Sequence, residues 1–294
     1  MTEDRLGAGI QIPNSSARRR PNTVAPVGAC DAHIHIYDPN FSAQATMPEN
    51  ADVAAYRKVQ ALLGTTRAVI VQPRVYGTDN SATLHAIDQL GITRTRGVAV
   101  VASDIDERAL LALHEGGIRG VRLSLHAPND AAGDFSAVEQ LAHKVAQFGW
   151  HLQLHWTADQ IFQQQALLKR LPVQLVFDHL GRFPLADPLL CPAFPVVRDL
   201  LKSGRAWIKL SGPYLDSIVG AEGGYRDTDP LARTWLSIAP DRAVWGSDWP
   251  HVTEPVHKPD DTQLFDLLAD WCNDDSLQQR VLVDNPARLY QFNT

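Results

Sequence analysis

The stretch GVRLSLHAPNDAAGDFSAVEQLAHKVAQFGWHLQLHW (Gly120–Trp156) holds an apolar run, a helical pattern and a second apolar run, in that order. GVRLSLH (Gly120–His126) and HLQLHW (His151–Trp156) have the length of strands, whereas FSAVEQLAHKVAQFG (Phe135–Gly149) repeats its apolar residues at three and four and ends on glycine. Strand, helix, strand is the unit of a parallel sheet.

The pattern recurs on both sides. CDAHIHIY (Cys30–Tyr37), RAVIVQP (Arg67–Pro73) and GVAVVA (Gly97–Ala102) precede it, and VQLVFDHLG (Val173–Gly181), AWIKLSG (Ala206–Gly212) and AVWGSDWP (Ala243–Pro250) follow. DERALLALHEGG (Asp106–Gly117) is a second helical stretch of the same kind. Eight runs without a linker-like segment predict an α/β fold, a single (β/α)₈ TIM barrel over residues 28–294. Residues 1–27, with ARRRPN near residue 20, read as a flexible, solvated N-terminal arm.

Of the 294 residues 45% are hydrophobic and 20% charged, with a net charge of −6, which fits a soluble protein with a large core and no basic footprint for nucleic acid. Cys30, Cys191 and Cys272 are too few and too scattered for a disulfide framework or a zinc ribbon, so a cytoplasmic setting is expected. No apolar stretch approaches the length needed to cross a bilayer, so no membrane partner is expected, and the oligomeric state is left open.

Several runs end on ionisable residues, and in a (β/α)₈ barrel the strand ends share one rim. His33 and His35, two apart, would lie on one face of their strand. Strand-end histidines are often only hydrogen-bonded core residues, but His155, His179 and Asp248 join them from the fifth, sixth and eighth runs. Such a cluster needs partners or a cation. His33, His35, His155 and Asp248 form a ligand set suited to Zn²⁺, which would activate a water; Asp248 would also take that water's proton, a role that could operate without metal. His179 would polarise a carbonyl or shuttle a proton.

DAHIH, FDHLGR, GSDWPH and the closing NPARLY together resemble the amidohydrolase superfamily, in the branch containing 2-pyrone-4,6-dicarboxylate lactonase, 4-sulfomuconolactone hydrolase and galactarolactone isomerase. GTDNSATLHAI (Gly77–Ile87) and LALHEGGIRGVRL (Leu111–Leu123) extend the resemblance over nearly the whole chain after residue 27. It implies lactone chemistry, with the motifs falling on His33, His35, His179 and Asp248. The pyrone-dicarboxylate enzymes it resembles work without metal and carry a tyrosine where this chain has His155, whereas the sulfomuconolactone type implies zinc. Their carboxylate-holding arginine aligns with Arg122; Arg74 stands where they have small residues, and a second arginine of theirs is replaced here by HAPND.

The expected substrate is therefore a small anionic lactone, 4-sulfomuconolactone first and pyrone dicarboxylate second, from aromatic or sulfoaromatic breakdown. Arg122 and Arg74 would hold its acid groups, with Lys209, Tyr214 and His251 as further substrate contacts. Lys209 could equally point outward, and His251 could instead orient Asp248 or serve only a helix-capping or solvent role. The rival readings are a sugar-acid lactone isomerase, a type that carries asparagine in the motif read here as GSDWPH, and a non-catalytic anion-binding barrel with no use for Asp248.

Overall fold

The computed structural model describes residues 11–126 and 135–293; the start of the expected arm and most of the HAPND stretch lie outside them. Eight strands form one parallel sheet in chain order: β1 (Cys30–Ile34), β2 (Arg67–Val71), β3 (Thr95–Ala99), β4 (Ile118–Ser124), β5 (His151–His155), β6 (Leu175–Phe177), β7 (Ala206–Leu210) and β8 (Ala243–Trp245). The expected (β/α)₈ barrel is what forms. Helices cover the outside, so the strands are buried on both faces, which is why they read as continuous apolar runs rather than alternating ones.

The helices begin where the sequence supplies an acceptor for their free N–H groups. Asp52 takes the amide of Ala55 at the start of α1 (Val53–Leu63), and Asp106 takes that of Ala109 at the start of α3 (Glu107–Glu115), which follows α2 (Ser81–Leu90). Beyond β4 come α4 (Phe135–Ala146), α5 (Ala158–Gln163) and α6 (Gln165–Arg170), with α5 opened by a capping box between Thr157 and Gln160. The outer ring is completed by α7 (Ala193–Lys202), α8 (Asp229–Ile238) and α9 (Asp261–Cys272).

The two ends of the barrel differ. At the strand starts, Phe292 packs under the guanidinium groups of Arg67 and Arg96, and Tyr290 meets the ring of His151, so the C-terminal segment closes that end. The opposite end is left for a site.

Part of the N-terminal segment, residues 12–19, packs against the protein, while Val24 and Val27 further along are exposed. Ile12 and Ala17 are buried, the Trp249 indole donates to Pro13 O at 2.7 Å, and Arg19 pairs with Asp266 at 2.8 Å. The buried indole N–H needs an acceptor, and the N-terminal segment provides it. Among the described residues no helix is long and apolar enough to cross a membrane.

Candidate active site at the barrel seam

The barrel closes between β1 and the chain just after β8. Asp248 N donates to His33 O and His35 N donates to Trp249 O, both at 2.8 Å. These two bonds set the HxH pair directly beside Asp248. Gly246 permits the approach, because a Cβ there would come within 2.6 Å of the His33 nitrogen. Beneath the seam, the buried carboxylate of Asp31 accepts from the amide and hydroxyl of Ser247 at 2.9 and 2.6 Å; burial nonetheless pushes its pKa up to about 7.

His35 Nδ1 lies 2.8 Å from Val71 O, and a carbonyl only accepts, so Nδ1 carries the proton. In the neutral ring, Nε2 then presents a lone pair 3.4 Å from Asp248 Oδ1. His33 Nε2, buried and without a hydrogen-bond partner, is 3.5 Å from the same oxygen. Two nitrogens converging on one carboxylate oxygen, with His33, His35 and Asp248 ligand atoms all within 4.8 Å of one another, fit a divalent cation.

His155 stands apart from this group. β5 lies across the barrel from the seam, and there the ring stacks on His126 at 4.8 Å and meets His179 edge-on at 5.3 Å. Ser124 Oγ is 3.1 Å from its Nδ1, and its Nε2 is buried without a hydrogen-bond partner. Three of the four expected ligands therefore converge. His33, Asp178 and His179 form a second group at ligand spacing, but the Lys209 ammonium stands 3.3 Å from His33 Nδ1 and 3.9 Å from Asp178 Oδ1, where a cation would sit.

His179 and Asp248 both lie just past their strands in left-handed backbone, at φ 50° and 64°. For histidine this conformation is costly and requires tertiary support. Here His179 Nδ1 is 3.1 Å from Ser211 Oγ, its ring is 4.9 Å from that of His33, and burial drives its pKa down to about 4, so it is a neutral imidazole. Burial opposes the charge on Asp248, yet with the Tyr214 hydroxyl donating to it and the rings of His179, His35 and His33 around it the carboxyl is held well below its usual range.

A cavity of about 1610 Å³ opens above, with His35, His155, His179 and Asp248 in its wall and Arg122 and Arg74 among its cations. Arg122 also donates through Nε to Asp178 Oδ2 at 3.0 Å. The other three residues expected to touch substrate are absent from the cavity wall. Lys209 is wholly buried below, bonded to Ala32 O and Gln153 Oε1 at 2.9 and 2.8 Å. Tyr214 and His251 sit behind Asp248: the Tyr214 hydroxyl donates to Asp248 Oδ2 at 2.7 Å and lies 3.1 Å from His251 Nδ1, while His251 Nε2 is 3.2 Å from Asp261 Oδ1.

Sequence reasoning assigned no role to Asp178, Gln153 or Arg182. Asp178 and Arg182 stood in view in FDHLGR, flanking His179. Arg182 pairs with Asp216 at 2.9 Å, joining the segments that follow β6 and β7 at the cavity.

Known proteins resemble the chain over nearly its whole length. A 2-pyrone-4,6-dicarboxylate hydrolase of Comamonas testosteroni is 33% identical, with 92% of each chain covered. A 4-sulfomuconolactone hydrolase of Hydrogenophaga intermedia is 31% identical, covering 91% of this chain and 90% of its own. The crystal structure of an Agrobacterium tumefaciens protein in its apo form superimposes with a TM-score of 0.85 at 25% identity, covering 95% of this chain and 99% of that one. The amidohydrolase family model matches residues 30–292, and the chain belongs to that family.

Proposed function

We propose that the protein is a hydrolase that opens a small lactone bearing carboxylate or sulfonate groups, with 4-sulfomuconolactone as first candidate and 2-pyrone-4,6-dicarboxylate as second. The names of its relatives support the lactone. The observation that carries the hydrolysis is Asp248, an ionised carboxylate in the cavity wall, fixed from behind by Tyr214 and flanked by three imidazoles. A divalent cation held by His33, His35 and Asp248, zinc being the best match to nitrogen and oxygen donors, would supply Lewis acidity there.

The side chains divide the remaining work. Asp248 takes a proton from the water that attacks the ester carbonyl. With the Ser211 hydroxyl donating to its Nδ1, His179 offers Nε2–H to the developing oxyanion. His155 Nε2, buried without a partner, is free to bond the substrate. Arg122 anchors an acid group from the side of β4, with Arg74 at the rim. The ring C–O bond breaks, one water is consumed, and the products are a carboxylate and an enol or alcohol.

Hydrolysis releases a proton at neutral pH, whereas isomerisation of a lactone releases none. A pH-stat assay on 4-sulfomuconolactone, 2-pyrone-4,6-dicarboxylate and galactarolactone, before and after chelation, is expected to show acid release from the first or second that falls on chelation. Proton release from the sugar lactone alone would overturn the substrate choice; conversion without proton release would overturn hydrolysis. Replacing Tyr214 with Phe removes a hydrogen bond to a carboxylate, worth about 1.5–3 kcal/mol. Loss of that donor raises the Asp248 pKa, so the acid limb of the kcat/KM profile is expected to move to higher pH.

A further inference from the structure

Behind the seam, three neighbouring strands bury a polar cluster against His33, and no residue of this cluster reaches the cavity: Gln153 from β5, Asp178 from the end of β6 and Lys209 from β7. The hydrogen bonds of this cluster are nearly all assigned. Asp178 Oδ2 accepts from Arg122 Nε at 3.0 Å and from Gln153 Nε2 at 3.2 Å. Lys209 spends two of its protons on Ala32 O and Gln153 Oε1. What is left is one lysine proton, the bare Asp178 Oδ1, and His33 Nδ1, which lies 3.3 Å from the lysine nitrogen and 3.5 Å from that oxygen.

A neutral imidazole carries one proton, so His33 Nδ1 can face the donor or the acceptor but cannot satisfy both. When Nδ1 accepts from Lys209, the proton sits on Nε2 and points at Asp248 Oδ1, 3.5 Å away. A cation at Nε2 needs that lone pair free, so the proton must then be on Nδ1, and the acceptor within reach is Asp178 Oδ1. His35 has no such choice, since Val71 O holds its proton on Nδ1 permanently.

We propose that Asp178 and Lys209 are positioning residues that switch His33 between two tautomers: Nε2–H, held by Lys209, without a cation, and Nδ1–H, held by Asp178 Oδ1, with one. The ring stays neutral throughout: the cation replaces the proton at Nε2 and that proton moves to Nδ1, so none is released. This rests on the metal reading above and goes beyond it by naming the residues that set the ligand's tautomer. The orientation of an asparagine at position 178 follows as well. Arg122 and Gln153 both donate to the Oδ2 position, so the amide oxygen must stay there and the NH₂ must face His33 Nδ1 as a donor. Asp178→Asn therefore locks the tautomer that cannot bind a cation.

Long-range ¹H–¹⁵N correlation of the histidine rings tests this in the 294-residue chain, with His33 assigned by loss of its signals in His33→Gln. Chelator-treated protein is expected to show His33 as Nε2–H, and addition of Zn²⁺ to convert it to Nδ1–H. Asp178→Asn is expected to stay Nε2–H and to weaken Zn²⁺ binding about 10–100-fold, the usual effect of removing a ligand's outer partner. Lys209→Met removes the competing donor and is expected to show Nδ1–H even without metal. Zinc that binds with His33 as Nδ1–H before and after addition would overturn the switch while leaving the metal reading intact. A protein that takes up no Zn²⁺ in equilibrium dialysis would overturn both.

Discussion

Asp248→Asn is expected to lower kcat by about 10²–10⁴-fold, the range that removal of a positioned acid or base produces, while the barrel stays folded. The substitution is chosen because it changes charge and little else. Asp248 sits at φ 64°, a conformation that asparagine tolerates well, and its backbone N–H must still reach His33 O to close the seam. The amide oxygen can still accept from Tyr214, so the variant should retain the wild-type melting temperature to within a few degrees. Loss of the carboxylate removes the proton acceptor for water and the oxygen on which His33 and His35 converge, so Zn²⁺ affinity should fall with kcat. Rates and dialysis on the same preparation separate the two losses: a variant that keeps its metal yet loses turnover identifies the base. A barrel that only binds anions would behave as wild type in ligand titrations, and a variant with unchanged turnover would remove the hydrolase reading.

The barrel was legible because parallel strands are buried on both faces and leave unbroken apolar runs; all eight runs contain a strand, although β3 is shifted, Thr95–Ala99 against an expected Gly97–Ala102, and β6 is shorter, Leu175–Phe177 against Val173–Gly181. That His33, His35, His179 and Asp248 share one rim also followed from the strand ends. Depth along the barrel did not. Lys209 belongs to β7 itself and hangs below the ring, whereas His179 and Asp248 lie beyond their strands in left-handed turns that no residue pattern announces. Adjacent Asp178 and His179 illustrate the limit: the turn after β6 sends one carboxylate under His33 and the next imidazole above it, into the cavity wall. The position of His155 was lost for a different reason. Counting strands says that β5 faces β1 across the barrel, but the distance between their ends depends on strand stagger, which is absent from the sequence.

Arg122 couples the two levels, and replacing it with Gln is expected to damage both binding and stability. Its Nε is committed to Asp178, whose side chain is wholly buried, while Arg122 itself remains partly exposed in the cavity wall. Truncating one member of such a pair costs about 3–5 kcal/mol, most of it from the charge left behind. Burial by itself would raise the Asp178 pKa; the Arg122 guanidinium, with the Lys209 ammonium, outweighs it and holds the carboxyl well below the usual range. A folded-state pKa depressed in this way stabilises the protein above the unfolded value, about 3.9, and the contribution disappears as pH falls through the folded one. The melting-temperature gap between wild type and Arg122→Gln should therefore be full at pH 7 and narrow below about pH 4. Binding is separated from this by comparing an anionic lactone with a neutral one of similar ring size. If the guanidinium anchors an acid group, Arg122→Gln should lower kcat/KM for the anion by about 10²–10³-fold, by analogy with loss of a buried charged hydrogen bond at an interface, and leave the neutral lactone far less affected. Equal losses on both lactones would mean that Arg122 serves Asp178 alone, and would transfer the anion site to Arg74, the other arginine proposed to hold substrate in the cavity wall.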